Sequence, residues 1–301
     1  CRTTPAAMNP TRISCLLLLA IASAACEGFF PSKDPLPAYL RIAPFTLRTE
    51  SGQGSSSAAI TEVWVRVNGD FLGAYKLPAV VPVLADGPSD IILDAGVREN
   101  GIATTPEIYP FYQSVQHTET IGPGTELAFN PATAYRSGTR FPMIEGFENS
   151  GHLFQQLVSG DPANRIQLNR QTPFEGGASA NILLDSARAS VELATTARFS
   201  GLLDRGAYVF LELNYQSEVP VSFGFLATSR SNGSQRIQYV AGFNPSENWK
   251  KIYFNLSPAI SGSVLEEYQV ILKAAIPLRA DGTLSRKNAK VQLDNIKLVH
   301  F

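Results

Sequence analysis

The sequence predicts an all-β protein with a small N-terminal β-sandwich followed by a jelly-roll β-sandwich. Short apolar runs recur along the chain and are separated by Gly, Pro, Asn and Asp, as in β-rich proteins. Charged residues make up 17% of the 301 residues, below the roughly 25% of an average soluble domain. No stretch has the apolar period of a long amphipathic helix.

Residues 9–26 have the pattern of an export leader. Arg12 precedes an apolar run over residues 13–22, and small residues then lead to Cys26. The run is shorter than the roughly 20 residues that a membrane-spanning helix needs. We interpret Met8 as the translation start, residues 1–25 as upstream flank and signal peptide, and residues 26–38 as a proline-rich tether.

The motif Ser23-Ala24-Ala25-Cys26 resembles the lipobox of bacterial lipoproteins, although an aliphatic residue usually stands where Ser23 does. The resemblance implies that Cys26 carries a lipid anchor and that the protein sits in the cell envelope, at the outer membrane. Ala22-Ser23-Ala24 also fits an ordinary secretion site, which leaves this alternative open. The other cysteines, Cys1 and Cys15, precede Cys26, so it has no disulfide partner downstream, which favours lipidation.

A small β-sandwich domain is predicted over residues 39–120. Residues 39–48 read as a strand interrupted at Pro44, and residues 51–59 as a flexible surface loop. The strongest local signal is a β-hairpin over residues 62–75, because Asn68-Gly69 supplies the two positive φ angles of a type I′ turn between alternating segments.

The segment over residues 60–93 combines the hairpin with a proline-flanked stretch, the turn Asp86-Gly87 and a further strand. It resembles PEGA-type surface modules of exported bacterial proteins, although the Pro-Glu-Gly-Ala tetrapeptide itself is absent. The resemblance implies a structural or interaction unit without catalytic residues.

Two places in this domain are candidates for ligand binding. Trp64 lies on the polar side of its strand and is expected to be partly exposed. Tyr109 and Tyr112 could form a flat platform for a sugar ring or a partner, or could instead close one end of the sandwich. Residues 121–140 are predicted to connect the domains, with one strand over 126–129.

The second domain is predicted over residues 141–301, with a possible helical turn over 263–267. Its spacing of strands and turns indicates a sandwich. The predicted strands are 143–147, 180–184, 191–199, 207–215, 221–227, 236–241, 249–256, 268–276 and 291–299. Trp249 alternates with its neighbours and is predicted either to bind a ligand or to pack in the core.

The segments Ile144-Glu145-Gly146-Phe147-Glu148 and residues 291–299 resemble the first and last strands of jelly-roll carbohydrate-binding and galactose-binding-like domains. The resemblance implies a structural Ca²⁺ between these strands, with Glu148 and Asp294 as ligands and Glu145 as a third. The alternative is that these carboxylates face solvent at the edge of the sandwich.

Two functional classes find little support in the sequence. The 25 Lys and Arg against 26 Asp and Glu, with no basic block, argue against nucleic-acid binding. Catalytic motifs such as H-E-x-x-H and G-x-S-x-G are absent from the sequence. The pairs Glu266-Glu267 and Asp90 with Asp94 are of the kind that a glycan hydrolase could use, although strand alternation would point Glu266 and Glu267 apart.

These observations predict a non-catalytic lipoprotein that binds a glycan or an envelope protein at the bacterial surface. One alternative is a structural assembly subunit that binds protein only. Another is a glycan-active hydrolase built on the jelly roll.

Overall fold

The computed structural model describes residues 36–157, 166–261 and 263–301. The predicted signal peptide, Cys26 and most of the tether lie outside the described residues. Within these three ranges, no helix is long and apolar enough to cross a membrane.

Ten strands form the first part of the chain, and the predicted hairpin is confirmed. The strands are β1 Ala38–Ile42, β2 Thr46–Arg48, β3 Glu62–Val67, β4 Asp70–Lys76, β5 Ala79–Val83, β6 Gly87–Arg98, β7 Pro106–Ile108, β8 Val115–Ile121, β9 Glu126–Phe129 and β10 Ala132–Ala134. β3 and β4 pair antiparallel, and Asn68 and Gly69 have φ angles of 52° and 89°. We call the sheet of order β4-β3-β6-β7, with β8 also on β6, the hairpin sheet.

The segment 121–140 contributes to the first domain directly. Its strand β9 pairs parallel with β1, and β10 pairs parallel with β2. A three-stranded sheet of order β5-β1-β9 therefore packs opposite the hairpin sheet, closing the core that Leu40, Val63, Val81 and Leu93 fill.

The second part is a sandwich of two sheets, as predicted, and includes two short strands, β12 and β13, that were not predicted. Its strands are β11 Arg140–Glu145, β12 Phe154–Gln156, β13 Gln167–Asn169, β14 Ser179–Asp185, β15 Ser190–Thr195, β16 Val209–Ser217, β17 Val221–Thr228, β18 Gln235–Phe243, β19 Ser246–Asn255, β20 Glu267–Ala275 and β21 Asn288–His300. The six-stranded sheet has the order β13-β14-β21-β16-β19, with β11 also on β21, and the back sheet has the order β12-β15-β20-β17-β18. The fold class is all-β, as the sequence predicts.

The predicted helical turn over 263–267 is wrong in position. The structure has one short helix in its described part, α1 Ser257–Ser261, which begins directly before Pro258. Proline suits the first helical turn because its missing N–H has no partner there. The side chain of Asn255 accepts the N–H of Ser257 at 3.0 Å and so caps the turn.

The six-stranded sheet has two buried faces of different kinds. Alternate residues such as Ile182, Leu211 and Leu293 point into the sandwich core. On the opposite side, which we call the outer face, Phe210, Tyr253 and Val299 pack in the core of the first domain. The first domain therefore covers one end of the outer face.

Candidate functional site

The outer face carries a row of carboxamide side chains beyond the end that the first domain covers. Gln167 is paired in register with Asn181, Asn181 with Gln292, and Gln292 with Gln216, across four neighbouring strands. Residues directly opposite one another in antiparallel strands hold their side chains on the same face, about 5 Å apart. Each amide offers both a donor and an acceptor, so the row is suited to hydroxyl groups.

A second polar row lies beside the first. Asn214 is paired in register with Asp294 on β21 and with Lys251 on β19. Asn214 and Asp294 are buried, and the side chain of Lys251 is only 2% exposed. The two rows are adjacent because Asn214 and Gln216 are alternate residues of one strand.

Several polar atoms of this face are buried without a hydrogen-bond partner. In the described part of the chain, ten buried side-chain nitrogen or oxygen atoms lack one, and five of them lie here: Ser179 Oγ, Asn181 Oδ1, Asn214 Oδ1, Lys251 Nζ and Gln292 Nε2. Lys251 Nζ still has an ion-pair partner in Glu212, at 3.3 Å. Because an unpaired buried polar atom costs free energy, such a cluster needs partners from ordered water or from a ligand that replaces it.

Two aromatic rings stand at the rim of the face. Trp249 is two residues from Lys251 on β19 and is half-buried, and its ring lies 5.5 Å from that of Phe174. Phe174 is 37% exposed. An aromatic face beside amide groups matches a pyranose, which has an apolar C–H face and a ring of hydroxyls.

The first domain reaches into the same site through the serine-rich loop, residues 51–59. The Asn214 side-chain amide donates to Ser57 Oγ at 2.9 Å, and Lys297 Nζ donates to the Ser55 carbonyl at 2.5 Å. Ser55 Oγ also donates to the Glu175 carboxylate. The loop lies at the surface, as predicted, but it also contacts the second domain, where Ser57 helps to orient Asn214.

A buried charge network supports the face from the covered end. Glu212 accepts hydrogen bonds from Tyr109 at 2.7 Å and Tyr135 at 2.9 Å, and it pairs with Lys251. Burial lowers the pKa of Lys251, while the charge of Glu212 acts to raise it. Burial also lowers the pKa of Lys297 to about 8.

The predicted aromatic platform at Tyr109 and Tyr112 is not formed. Both side chains are buried at the domain interface, with ring centroids 4.6 Å apart, and Tyr109 also packs on Phe210. Burial raises the pKa of both hydroxyls well above the usual range. Neither ring offers a face to a ligand, because the second domain covers them.

The predicted calcium ligands Glu145, Glu148 and Asp294 all accept backbone N–H groups. Both Glu145 oxygens accept backbone N–H groups, from Phe147 at 2.7 Å and Leu153 at 2.6 Å. Glu148 accepts the N–H of Gly177 at 2.9 Å. Among the residues that the structure describes, no three His, Cys, Asp or Glu side chains form a group that could hold a metal ion.

The carboxylates of the two pairs that a hydrolase could use all have ion-pair or hydrogen-bond partners. Glu267 pairs with Arg198 and Arg230, and the Glu266 carboxylate accepts the N–H of Arg230. On the hairpin sheet, Asp94 pairs with Arg66 at 2.6 Å, and Asp90 accepts from Thr118 at 2.8 Å.

Trp64 is also where its alternation predicts, half-buried on the polar side of the hairpin sheet. The residues that sequence reasoning missed are Phe174 and the amides Asn181, Asn214, Gln216 and Gln292. For Asn181, Asn214 and Gln292 the signal was their place within predicted strands, whereas Gln216 lies one residue beyond the predicted strand and Phe174 lies between strands. The register that aligns these amides across three strands is a property of the tertiary fold.

Comparison with known proteins gives only distant structural matches. No protein-family model matches the chain, and no curated protein matches it. The carbohydrate-binding module TmCBM61, solved in complex with β-1,4-galactotriose, is 15% identical, with a TM-score of 0.33 over 52% of this chain and 95% of its own. The family 11 carbohydrate-binding module of the cellulase Lic26A-Cel5E of Clostridium thermocellum is 15% identical, with a TM-score of 0.38 over 55% and 97%. The enzymatically active domain of tailspike protein 4 of bacteriophage CBA120 is 8% identical, with a TM-score of 0.37 over 51% and 20%.

Proposed function

We propose that this protein binds a glycan, without cleaving it, on the outer face of the six-stranded sheet. The observation that carries the proposal is the group of buried, unpartnered polar atoms on Asn181, Asn214 and Gln292 beside the rings of Trp249 and Phe174. A sugar placed there stacks its C–H face on the aromatic rim and exchanges hydroxyl hydrogen bonds with the amides.

The site is suited to binding and not to bond cleavage. A glycosidase uses two carboxyl groups about 5–10 Å apart on either side of the bond that it breaks. The carboxylate in the second row, Asp294, already accepts backbone N–H groups of Glu175 and Asn295. Amides and rings hold a sugar but transfer no proton to it.

Isothermal titration with β-1,4-linked gluco-, manno-, galacto- and xylo-hexaoses tests the proposal. At least one of these oligosaccharides is expected to bind, and Trp249→Ala is expected to raise its Kd about tenfold or more, equivalent to about 1.4 kcal/mol. The matched control is Tyr208→Ala, which removes an exposed ring away from the amide rows and should leave Kd unchanged.

A second set of variants tests the polar part of the site. Gln216→Ala and Asn181→Ala should each weaken binding, because each removes a half-buried hydrogen-bonding group from the site. Oligosaccharide lengths in the mixture should stay constant over long incubation. Shortened products would favour the hydrolase, whereas failure of every glycan with capture of an envelope protein would favour the assembly subunit.

We also propose that the protein is anchored by a lipid at Cys26 and held at the outer membrane. The support is the lipobox-like sequence and the absence of a second cysteine downstream. Intact mass measurement on protein extracted from membranes should find acyl chains at Cys26, and Cys26→Ser should move the protein into the soluble fraction. An unmodified thiol there would overturn the anchor without affecting the glycan site.

We further propose a structural Ca²⁺ held by Glu148 and Asp294. Burial and the nearby charge of Glu148 raise the pKa of Asp294 to about 7, so a cation there would relieve an uncompensated carboxylate. Added CaCl₂ should then raise Tm relative to EDTA in the natural protein but not in Asp294→Asn. Equal Tm values in both solutions would remove calcium from the proposal.

A further inference from the structure

The hairpin sheet carries a second aromatic surface on its solvent side. Val63 and Val65 point into the first domain's core, so Trp64 points away from it. The Trp64 ring stacks on Phe71 with centroids 5.3 Å apart and an angle of 23° between the planes. Phe71 is 55% exposed, which is unusual for so large an apolar side chain.

A glycine on the neighbouring strand makes room for the indole. A Cβ atom added at Gly96 would lie 3.3 Å from Cδ1 of Trp64 and 3.1 Å from Cβ of Glu62. Any larger residue at that position would press on the ring. The position of the Trp64 ring thus depends on β6 as well as on its own strand.

Charged pairs flank the stacked rings on the same side of the sheet. Arg66 pairs with Asp94 at 2.6 Å, and Arg98 pairs with Glu62 at 3.1 Å. The two carboxylates are nearly buried, while both guanidinium groups are more than a third exposed. Nε1 of Trp64 and Nε of Arg66 are buried donors without an acceptor.

The stacked rings and the flanking ion pairs together restrict which kind of ligand can bind to this surface. A purely apolar partner would desolvate two ion pairs without replacing their water hydrogen bonds. A polyanion such as nucleic acid would meet two carboxylates, and each guanidinium is already paired. A neutral pyranose fits both parts, since its C–H face stacks on the rings and its hydroxyls bond to the guanidinium and carboxylate groups.

We propose that Trp64 and Phe71 form a second glycan-binding site, on the first domain, so that one chain binds two sugar segments. The inference rests on the proposed glycan-binding function but uses different residues on a different sheet. A polysaccharide that reaches both sites is then held more tightly than a short oligosaccharide that reaches one.

The experiment is titration of the full chain with the oligosaccharide that binds best in the hexaose panel. The natural protein is expected to bind two molecules per chain, and Trp64→Ala and Trp249→Ala one each. Phe71→Ala serves as a second variant of the hairpin site, since its exposed ring contributes little to folding. Tm should stay close to that of the natural protein in all three variants.

The outcomes separate this inference from the proposed function. One molecule per chain, with Kd unchanged by Trp64→Ala and Phe71→Ala but raised by Trp249→Ala, would overturn the second site and leave the first. Loss of binding in Trp64→Ala with no effect of Trp249→Ala would place the only site on the hairpin sheet, overturning both the two-site inference and the proposed location. Failure of all four hexaoses to bind the natural protein would overturn both proposals.

Discussion

Glu212 is the residue on which the contact between the two domains is centred. It is fully buried and accepts hydrogen bonds from Tyr109 and Tyr135 of the first domain while pairing with Lys251 of the second. A buried carboxylate is tolerated only where such partners replace water. Its pairing also holds Lys251 in the second polar row of the candidate site.

Glu212→Gln is expected to destabilise the protein by about 3–5 kcal/mol, because it leaves the buried Lys251 without its ion-pair partner. Denaturant unfolding followed by tryptophan fluorescence measures the change. Glu126→Gln is the matched control, since it breaks the exposed pair with Arg41 and should leave stability almost unchanged. Similar effects of the two variants would contradict the central role of Glu212.

For Lys297 we predict that the pH dependence of stability has the opposite sign to that of a lysine stabilised by an ion pair. Burial lowers its pKa to about 8 in the folded protein, whereas an unfolded lysine has a pKa near 10.4. Between these values the unfolded state binds more protons, so stability rises with pH. Below pH 8 both states are protonated, and the folded state bears the full cost of a buried charge.

We therefore expect the free energy of unfolding of the natural protein, relative to Lys297→Met, to increase from pH 8 to about pH 10. Urea unfolding of both proteins across this range measures the difference, and groups common to both cancel. Parallel curves would show that Lys297 has an ordinary pKa.

The pairing of β17 with β18 depends on a glycine, Gly224. The register shifts between Phe223 and Gly224, and a Cβ atom at Gly224 would overlap the carbonyl of Gln238 on the neighbouring strand. This close approach of two backbones is a β-bulge that leaves no space for any side chain.

Gly224→Ala is expected to cost about 3 kcal/mol or more, because backbone, and not a flexible side chain, must move. Gly233→Ala is the control. Gly233 has a φ of 71° but nothing within 4 Å of an added Cβ. Gly233→Ala should therefore cost only the backbone strain of a left-handed residue, about 1–2 kcal/mol. Equal losses would mean that β18 can shift away without cost.

Local elements show clearly where sequence reasoning succeeds. Asn68-Gly69 has one favourable conformation between two strands, so the hairpin was predictable from adjacent residues. The loop over residues 51–59 has no such local preference. Its serines are fixed by Asn214 and Lys297, more than 150 positions away, and composition alone could not reveal that.

For the whole molecule, the shared interface predicts cooperative unfolding. Phe210, Tyr253 and Val299 of the second domain are part of the first domain's core, together with Tyr109 and Phe111. Neither domain can unfold without exposing apolar surface of the other.

Differential scanning calorimetry of the full chain should therefore show one transition, whose calorimetric and van't Hoff enthalpies agree. Tyr253→Ala, which removes a ring from the interface, should lower Tm. The control is Phe243→Ala, which removes a ring of similar size from the sandwich core alone. Two separated transitions in the natural protein would show that the domains unfold independently.

Alternating apolar residues and turn residues determined the all-β class, most strands and the hairpin, because these depend on residues close together in the chain. The polar position of Trp64 was visible in the same alternation, whereas the alternation left open whether Trp249 faces the core or a ligand. Only the tertiary structure decided that Tyr109 and Tyr112 are buried, because a second domain covers them. It also aligned Asn181, Gln292 and Gln216 into one face, since strand register depends on pairing between segments distant in sequence.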